Sequence, residues 1–133
     1  MKCFVDTSAF FALLDRDDKN HCTAEKILQK LFKNDFLLIT SNYVLVESFA
    51  LIQRRLGMEA LRAFQTNMTP VVSVEFISAE LHRIGVAAVL SASRRNLSLV
   101  DCISFEIMRL LNIQFAFAFD HHFLEQGFNP VTT

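Results

Sequence analysis

Apolar positions follow two rhythms along the chain. One is short and unbroken: residues 2–6, FLLIT at 36–40, VVSV at 71–74 and IQFAFAF at 113–119, with a last short run at Pro130–Thr132. Runs of strand length with little alternation belong to a sheet covered on both faces, hence a parallel one. The other rhythm is helical. Ala24, Ile27, Leu28 and Leu31 recur at helix spacing within Thr23–Phe32. Tyr43–Leu56 stops at Gly57, a suitable C-cap. Ala9–Leu14, Met58–Phe64, Ile77–Leu90 and Leu99–Leu111 complete the helical set, the last stopping at Asn112. This alternation predicts an α/β fold, a three-layer α/β/α sandwich with a central parallel sheet of four or five strands. Without a dividing linker, residues 1–133 read as one domain.

Against this pattern four acids stand out. The strand reading of Cys3–Phe4–Val5 ends on Asp6, and the run Phe115–Phe119 ends on Asp120. In open parallel sheets, sites form beyond the carboxyl ends of the strands. Asp101 opens a helix within NLSLVDCISF, and Glu47 lies within NYVLVESFALIQRRLG, where Val44, Val46, Phe49, Ala50 and Leu51 leave little room for solvent. Each acid also has a purely local reading. Asp6 and Asp120 can cap the helices that follow them. Ser98-Leu99-Val100-Asp101 is a capping box, and Glu47 can share a solvated stripe with Arg54. If the four converge, their repulsion demands a cation. Mg²⁺ or Mn²⁺ matches hard oxygen ligands, and such a site hydrolyses phosphodiesters.

Composition narrows the field. Hydrophobic residues make 52% and charged residues 20% of the chain, an ordinary globular balance. A net charge of −1 excludes a generally basic nucleic-acid binder, yet setting four clustered acids aside leaves +3 for the rest, enough to meet a phosphate backbone locally. Cys3, Cys22 and Cys102 form no C-x-x-C pair and read as buried thiols in a reducing compartment. No apolar stretch reaches membrane-spanning length, and Met1 runs straight into a strand, so a cytoplasmic protein without a leader is expected. Nothing resembles a covalent nucleophile motif, and an aspartyl phosphotransfer site would want a second acid or a lysine where this chain has Ser8 and none.

VDTSAFFALLDRDDKNH, SNYVLVESFALI, LSLVDCISFEIM and IQFAFAFDHHFLEQGF, in this order and with the acids at intervals of 41, 54 and 19 positions, resemble the PIN-domain family, and within it the single-domain ribonuclease toxins of the VapC type. The resemblance implies a Mg²⁺- or Mn²⁺-dependent endoribonuclease, a homodimer and a cognate antitoxin, with an RNA-maturation nuclease or a non-catalytic scaffold as alternatives. It matches Asp6, Glu47, Asp101 and Asp120 to the family's four acids and Ser8 to the small polar residue supporting the first. Ser104 lies one turn after Asp101, able to face the same site. His21 stands where members often carry a histidine; a capping or surface role is expected of it. His121 and His122 depart from the usual polar or basic residues after the fourth acid. Adjacent helical residues diverge by about 100°, so the pair is not expected to serve one ion.

Overall fold

The computed structural model describes all 133 residues. β1 (Lys2–Val5) carries Cys3, Phe4 and Val5 into the core, and the chain turns at once into α1 (Thr7–Leu14). α2 (His21–Lys33) returns along the sheet, followed by β2 (Leu37–Ser41) and the long α3 (Asn42–Leu56). Gly57, at φ 92°, makes the break before α4 (Met58–Ala63), as its place in the sequence predicts. A π turn (Phe64–Met68) and a 3₁₀ turn (Thr69–Val71) lead to β3 (Ser73–Glu75). α5 (Ala79–Ala92), α6 (Leu99–Leu110), β4 (Phe115–Phe117), the single-turn α7 (His122–Glu125) and β5 (Asn129–Pro130) complete the chain.

The five strands form one sheet in the order β3-β2-β1-β4-β5, every neighbour pair parallel. From β1 the chain winds outward first through β2 and β3, then through β4 and β5. The direction of winding therefore reverses between β1 and β4, where parallel sheets open a crevice at their carboxyl ends. Val5 is in register with Phe117, so the ends of these strands lie side by side. A cluster of 28 buried residues fills the space between sheet and helices.

Several boundaries differ from expectation, for local reasons. Asp6 is the N-cap of α1, so the first strand ends one residue early and the helix starts at Thr7 rather than Ala9. The fourth strand stops at Phe117 instead of Phe119 because its partner stops at Val5. The Asp6 N–H still reaches the Phe117 carbonyl at 3.0 Å, but beyond that β1 has become helix and offers no ladder. The third strand is shifted from 71–74 to Ser73–Glu75 because Pro70 favours the 3₁₀ turn ahead of it. Ser78 caps α5, moving that helix to Ala79–Ala92. Cys22 is exposed, in contrast to the expectation of three buried thiols; it lies on the outer face of α2.

α5 and α6 approach closely because residue 85 is glycine. A Cβ built there would overlap the Ile103 side chain, and Leu99 lies just beyond. Phe123 secures the other side of the site. It is 1% exposed and packs against Phe4, Phe105 and Phe128, Phe105 meeting it edge-on at 5.1 Å. Helix α6, which carries Asp101, and the α7 turn, which follows Asp120, are thereby held against β1.

Candidate active site

Asp6, Asp101 and Asp120 come together beyond the carboxyl ends of β1 and β4. Each offers a carboxylate oxygen, and these oxygens lie within 4.8 Å of one another. Asp6 is buried; the other two are half-buried.

The local capping roles of Asp6 and Asp101 are real, and they do not compete with convergence; Asp120 does not cap α7, whose N-cap is His121. Asp6 Oδ2 accepts hydrogen bonds from the Ser8 N–H at 3.2 Å and the Ser8 hydroxyl at 2.8 Å. Asp101 Oδ2 accepts from the Ser98 N–H at 3.0 Å, while the Ser98 hydroxyl accepts from the Asp101 N–H, closing the predicted capping box. Asp120 Oδ1 accepts from the His122 N–H at 3.0 Å. In each case one oxygen is tied to the backbone and the second is left for another partner. A carboxylate fixed in this way cannot rotate away, so these hydrogen bonds orient the trio.

The electrostatics follow from that crowding. Burial pushes the Asp6 carboxyl up to about 7, and the Asp120 and Asp101 charges add to the rise against the hydrogen bonds from Ser8. Burial also raises Asp101, opposed chiefly by the Ser98 N–H and reinforced by the Asp120 charge. Like charges crowded in this way form a site for a proton or a cation. Their donors are all carboxylate oxygens, which suits a hard divalent ion keeping part of its water shell.

Glu47 is not part of this trio. It lies half-buried on α3, beside Ser48, whose hydroxyl donates to Thr7 Oγ1 at 3.2 Å. Thr7 in turn reaches the Val44 carbonyl at 3.5 Å, so the turn of α3 that bears Glu47 is bound to the residue following Asp6. The helix around it is more open than its apolar sequence suggests: Val46 is 69% exposed, and Ala50 is exposed too.

Ser8 donates to Asp6 through both its N–H and its hydroxyl. Ser104 is buried, and its hydroxyl donates to the Val100 carbonyl of its own helix at 2.8 Å rather than to an acid. His21 is held away from the trio, Nδ1 on the Ala12 carbonyl at 2.7 Å and Nε2 on Glu25 at 2.6 Å. His121 and His122 do not diverge as expected. His121 precedes the regular helix, their rings lie 4.7 Å apart, and both approach Glu125.

The sequence reading missed the buried hydroxyl network behind the acids. Thr40 donates to the Val5 carbonyl at 2.9 Å, Ser41 caps α3 through the Val44 N–H, and Thr7 joins Ser48. The available signal was a polar residue closing an apolar strand in FLLITS, the same pattern that marks Asp6.

A reversing parallel sheet with an acidic trio at the switch point defines a class of fold and site. The PIN domain family model matches residues 3–129, and the chain belongs to that family. Among individual proteins it is similar to the 23S rRNA-specific endonuclease VapC20 of Mycobacterium tuberculosis, in strains CDC 1551 and H37Rv, with 36% identity over 129 residues covering 96% of each chain. The crystal structure of Mycobacterium tuberculosis VapC20, described as a sarcin–ricin loop cleaving toxin, superposes with a TM-score of 0.85 over 98% of this chain and 99% of that one.

Proposed function

We propose that this chain is a Mg²⁺- or Mn²⁺-dependent endoribonuclease, acting as one nuclease domain and serving as the toxin of a toxin–antitoxin pair in the cytoplasm. The observation that carries the reading is the convergence of Asp6, Asp101 and Asp120, each with one oxygen fixed and one free. The likeness to a ribosomal RNA endonuclease over nearly the whole chain supports RNA as substrate.

When bound, a divalent cation would supply Lewis-acid stabilisation of the scissile phosphate and an activated water. Asp6 and Asp101 would hold the principal ion, each offering its free oxygen. Ser8 fixes the other oxygen of Asp6, and the capping box fixes that of Asp101. Asp120 would hold a second ion or a bound water. Glu47, approaching from α3 and outside the trio, orients the attacking water as general base. A scaffold that only binds has no use for three acids held together against their own repulsion, which disfavours the non-catalytic alternative.

The partners follow from the same likeness. A homodimer is supported by apolar side chains left exposed, Val46 and Met58 on α3 and α4 and Phe76, Leu90 and Leu110 elsewhere. An antitoxin protein is the second expected partner. No helix is long and apolar enough to cross a membrane.

Sequencing the ends of RNA cut by the purified protein tests the reading. Discrete new ends in ribosomal RNA are the expected result. Uniform degradation, or no new ends in any RNA, contradicts it.

A further inference from the structure

A second cluster of ligating atoms lies beside the aspartates, and its chemistry is different. His121, His122 and Glu125 each offer one ligand atom, all within 4.8 Å of one another. His121 Nε2 is 3.7 Å and His122 Nδ1 is 3.1 Å from the same oxygen, Glu125 Oε1. A tetrahedral ion with bonds of about 2.1 Å holds its ligand atoms about 3.4 Å apart. The two spacings to Glu125 straddle that value, and the 3.1 Å contact is a hydrogen bond that an ion would replace.

The backbone explains how neighbouring histidines point the same way. His121 precedes α7, with φ −88° and ψ −2°, and Glu125 lies one turn further on. His122 is 8% exposed, and its N–H is fixed by Asp120. Buried Phe123 anchors the turn from below. One ligand of the set is therefore rigid, and the exposed His121 and Glu125 can close on it.

We propose that His121, His122 and Glu125 form a binding site for a borderline transition-metal ion of the Zn²⁺ or Co²⁺ type, separate from the aspartate trio. Two imidazoles and a carboxylate suit such ions, whereas an all-carboxylate set suits Mg²⁺ or Mn²⁺. Three protein ligands leave a fourth position open to water or to an oxygen of a bound molecule. Arg94 is the competing group: its guanidinium lies 3.4 Å from Glu125 Oε1 and must swing away when the ion binds. Both partners of that pair are substantially exposed, so it offers little resistance. The proposal does not depend on the nuclease reading, since it concerns binding by residues outside the trio.

The test is titration of the full chain with Co²⁺ in excess Mg²⁺, followed by visible absorption, with Zn²⁺ as displacing ion. One equivalent of Co²⁺ should bind, with an absorption band characteristic of low-coordinate nitrogen ligation that Zn²⁺ removes. His121→Ala and Glu125→Gln, both at exposed positions, should each weaken binding by more than about tenfold, at least the scale on which outer supporting groups already act. Arg94→Ala should tighten it, and Asp101→Asn should leave the band unchanged. No Co²⁺ uptake by the wild type would overturn the proposal. So would an undiminished band in His121→Ala and Glu125→Gln, or loss of the band in Asp101→Asn, which would place the ion among the aspartates.

Discussion

A hydrogen bond of 2.9 Å joins the Phe119 N–H to the hydroxyl oxygen of Ser8, although 111 residues separate the two. The same hydroxyl donates to Asp6 Oδ2 at 2.8 Å. One side chain thus fixes the first acid and also the segment that leaves β4 towards the fourth. Ser8→Ala would strand the Phe119 N–H and remove a donor from the Asp6 carboxylate. The expected cost is about 1–3 kcal/mol of stability, read by urea denaturation. Asp6 should also hold its proton more tightly, so divalent-ion binding should move to higher pH. Unchanged stability together with an unchanged pH profile would show that this link does not position the site.

Asp6 gives the metal-free protein a specific pH dependence. Its carboxyl is raised from 3.8 to about 7, so between those values the folded state binds a proton that the unfolded state has released. The contribution to stability is fully present below about 4 and is lost as pH rises through about 7. For this group, metal-free protein should become more stable as pH falls from 7 towards 5. Mg²⁺ must displace the proton, so stabilisation by Mg²⁺ should fade over the same interval. Thermal melts against pH, with and without Mg²⁺, check both halves. In Asp6→Asn the dependence should flatten.

Asp101 separates capping from ion binding. Asparagine retains an oxygen able to accept the Ser98 N–H, so Asp101→Asn keeps the capping box while removing a charge from the trio. The metal-free variant should be at least as stable as the wild type. The wild type should gain about 1.4 kcal/mol when Mg²⁺ is ten times its Kd, and the variant should lose most of that gain along with RNA cleavage. A destabilised variant that still gains from Mg²⁺ and still cuts RNA would reduce Asp101 to a helix cap.

Glu47 tests the division of labour. It stands outside the trio, so Glu47→Gln should leave most of the Mg²⁺-dependent stabilisation in place. RNA cleavage should nonetheless fall by about 10²–10⁴-fold, the usual scale of a general base. If stabilisation disappears with activity, Glu47 is a ligand rather than a base.

Gly85 sets the distance between α5 and α6. A valine there would drive its methyl groups into Ile103 and displace the helix that carries Asp101. Gly85→Val should cost about 1–3 kcal/mol, as overpacked cores do, and should weaken Mg²⁺ binding although residue 85 is no ligand. Unaltered melting would show that the close approach carries no weight.

The fold was largely legible because β1, β2 and β4 are mostly apolar runs and α2 keeps a helical period. The ends were less legible. Nothing local in IQFAFAF shows that the strand stops at Phe117, because that limit is imposed by β1 turning into α1 at Asp6. The convergence of Asp6, Asp101 and Asp120 was not legible from spacing either. It depends on β1 and β4 being neighbours and on Gly85 admitting α6, both long-range facts. The sequence did display the caps, and these proved to orient the site as well as the helices. The closeness of the His121 and His122 rings was not legible, because helical divergence was assumed where the backbone has not yet entered the helix.

The most direct measurement of the central claim is cleavage of single-stranded RNA by purified protein with Mg²⁺, with Mn²⁺ and with EDTA, beside Asp6→Asn prepared in the same way. The account predicts cutting by the wild type with either ion, none in EDTA, and restoration when the ion is returned. The variant should not cut under any of these conditions. Equal cutting in EDTA that Asp6→Asn abolishes would contradict the metal-dependent reading. Cutting that persists in the variant would show that the activity does not come from this site.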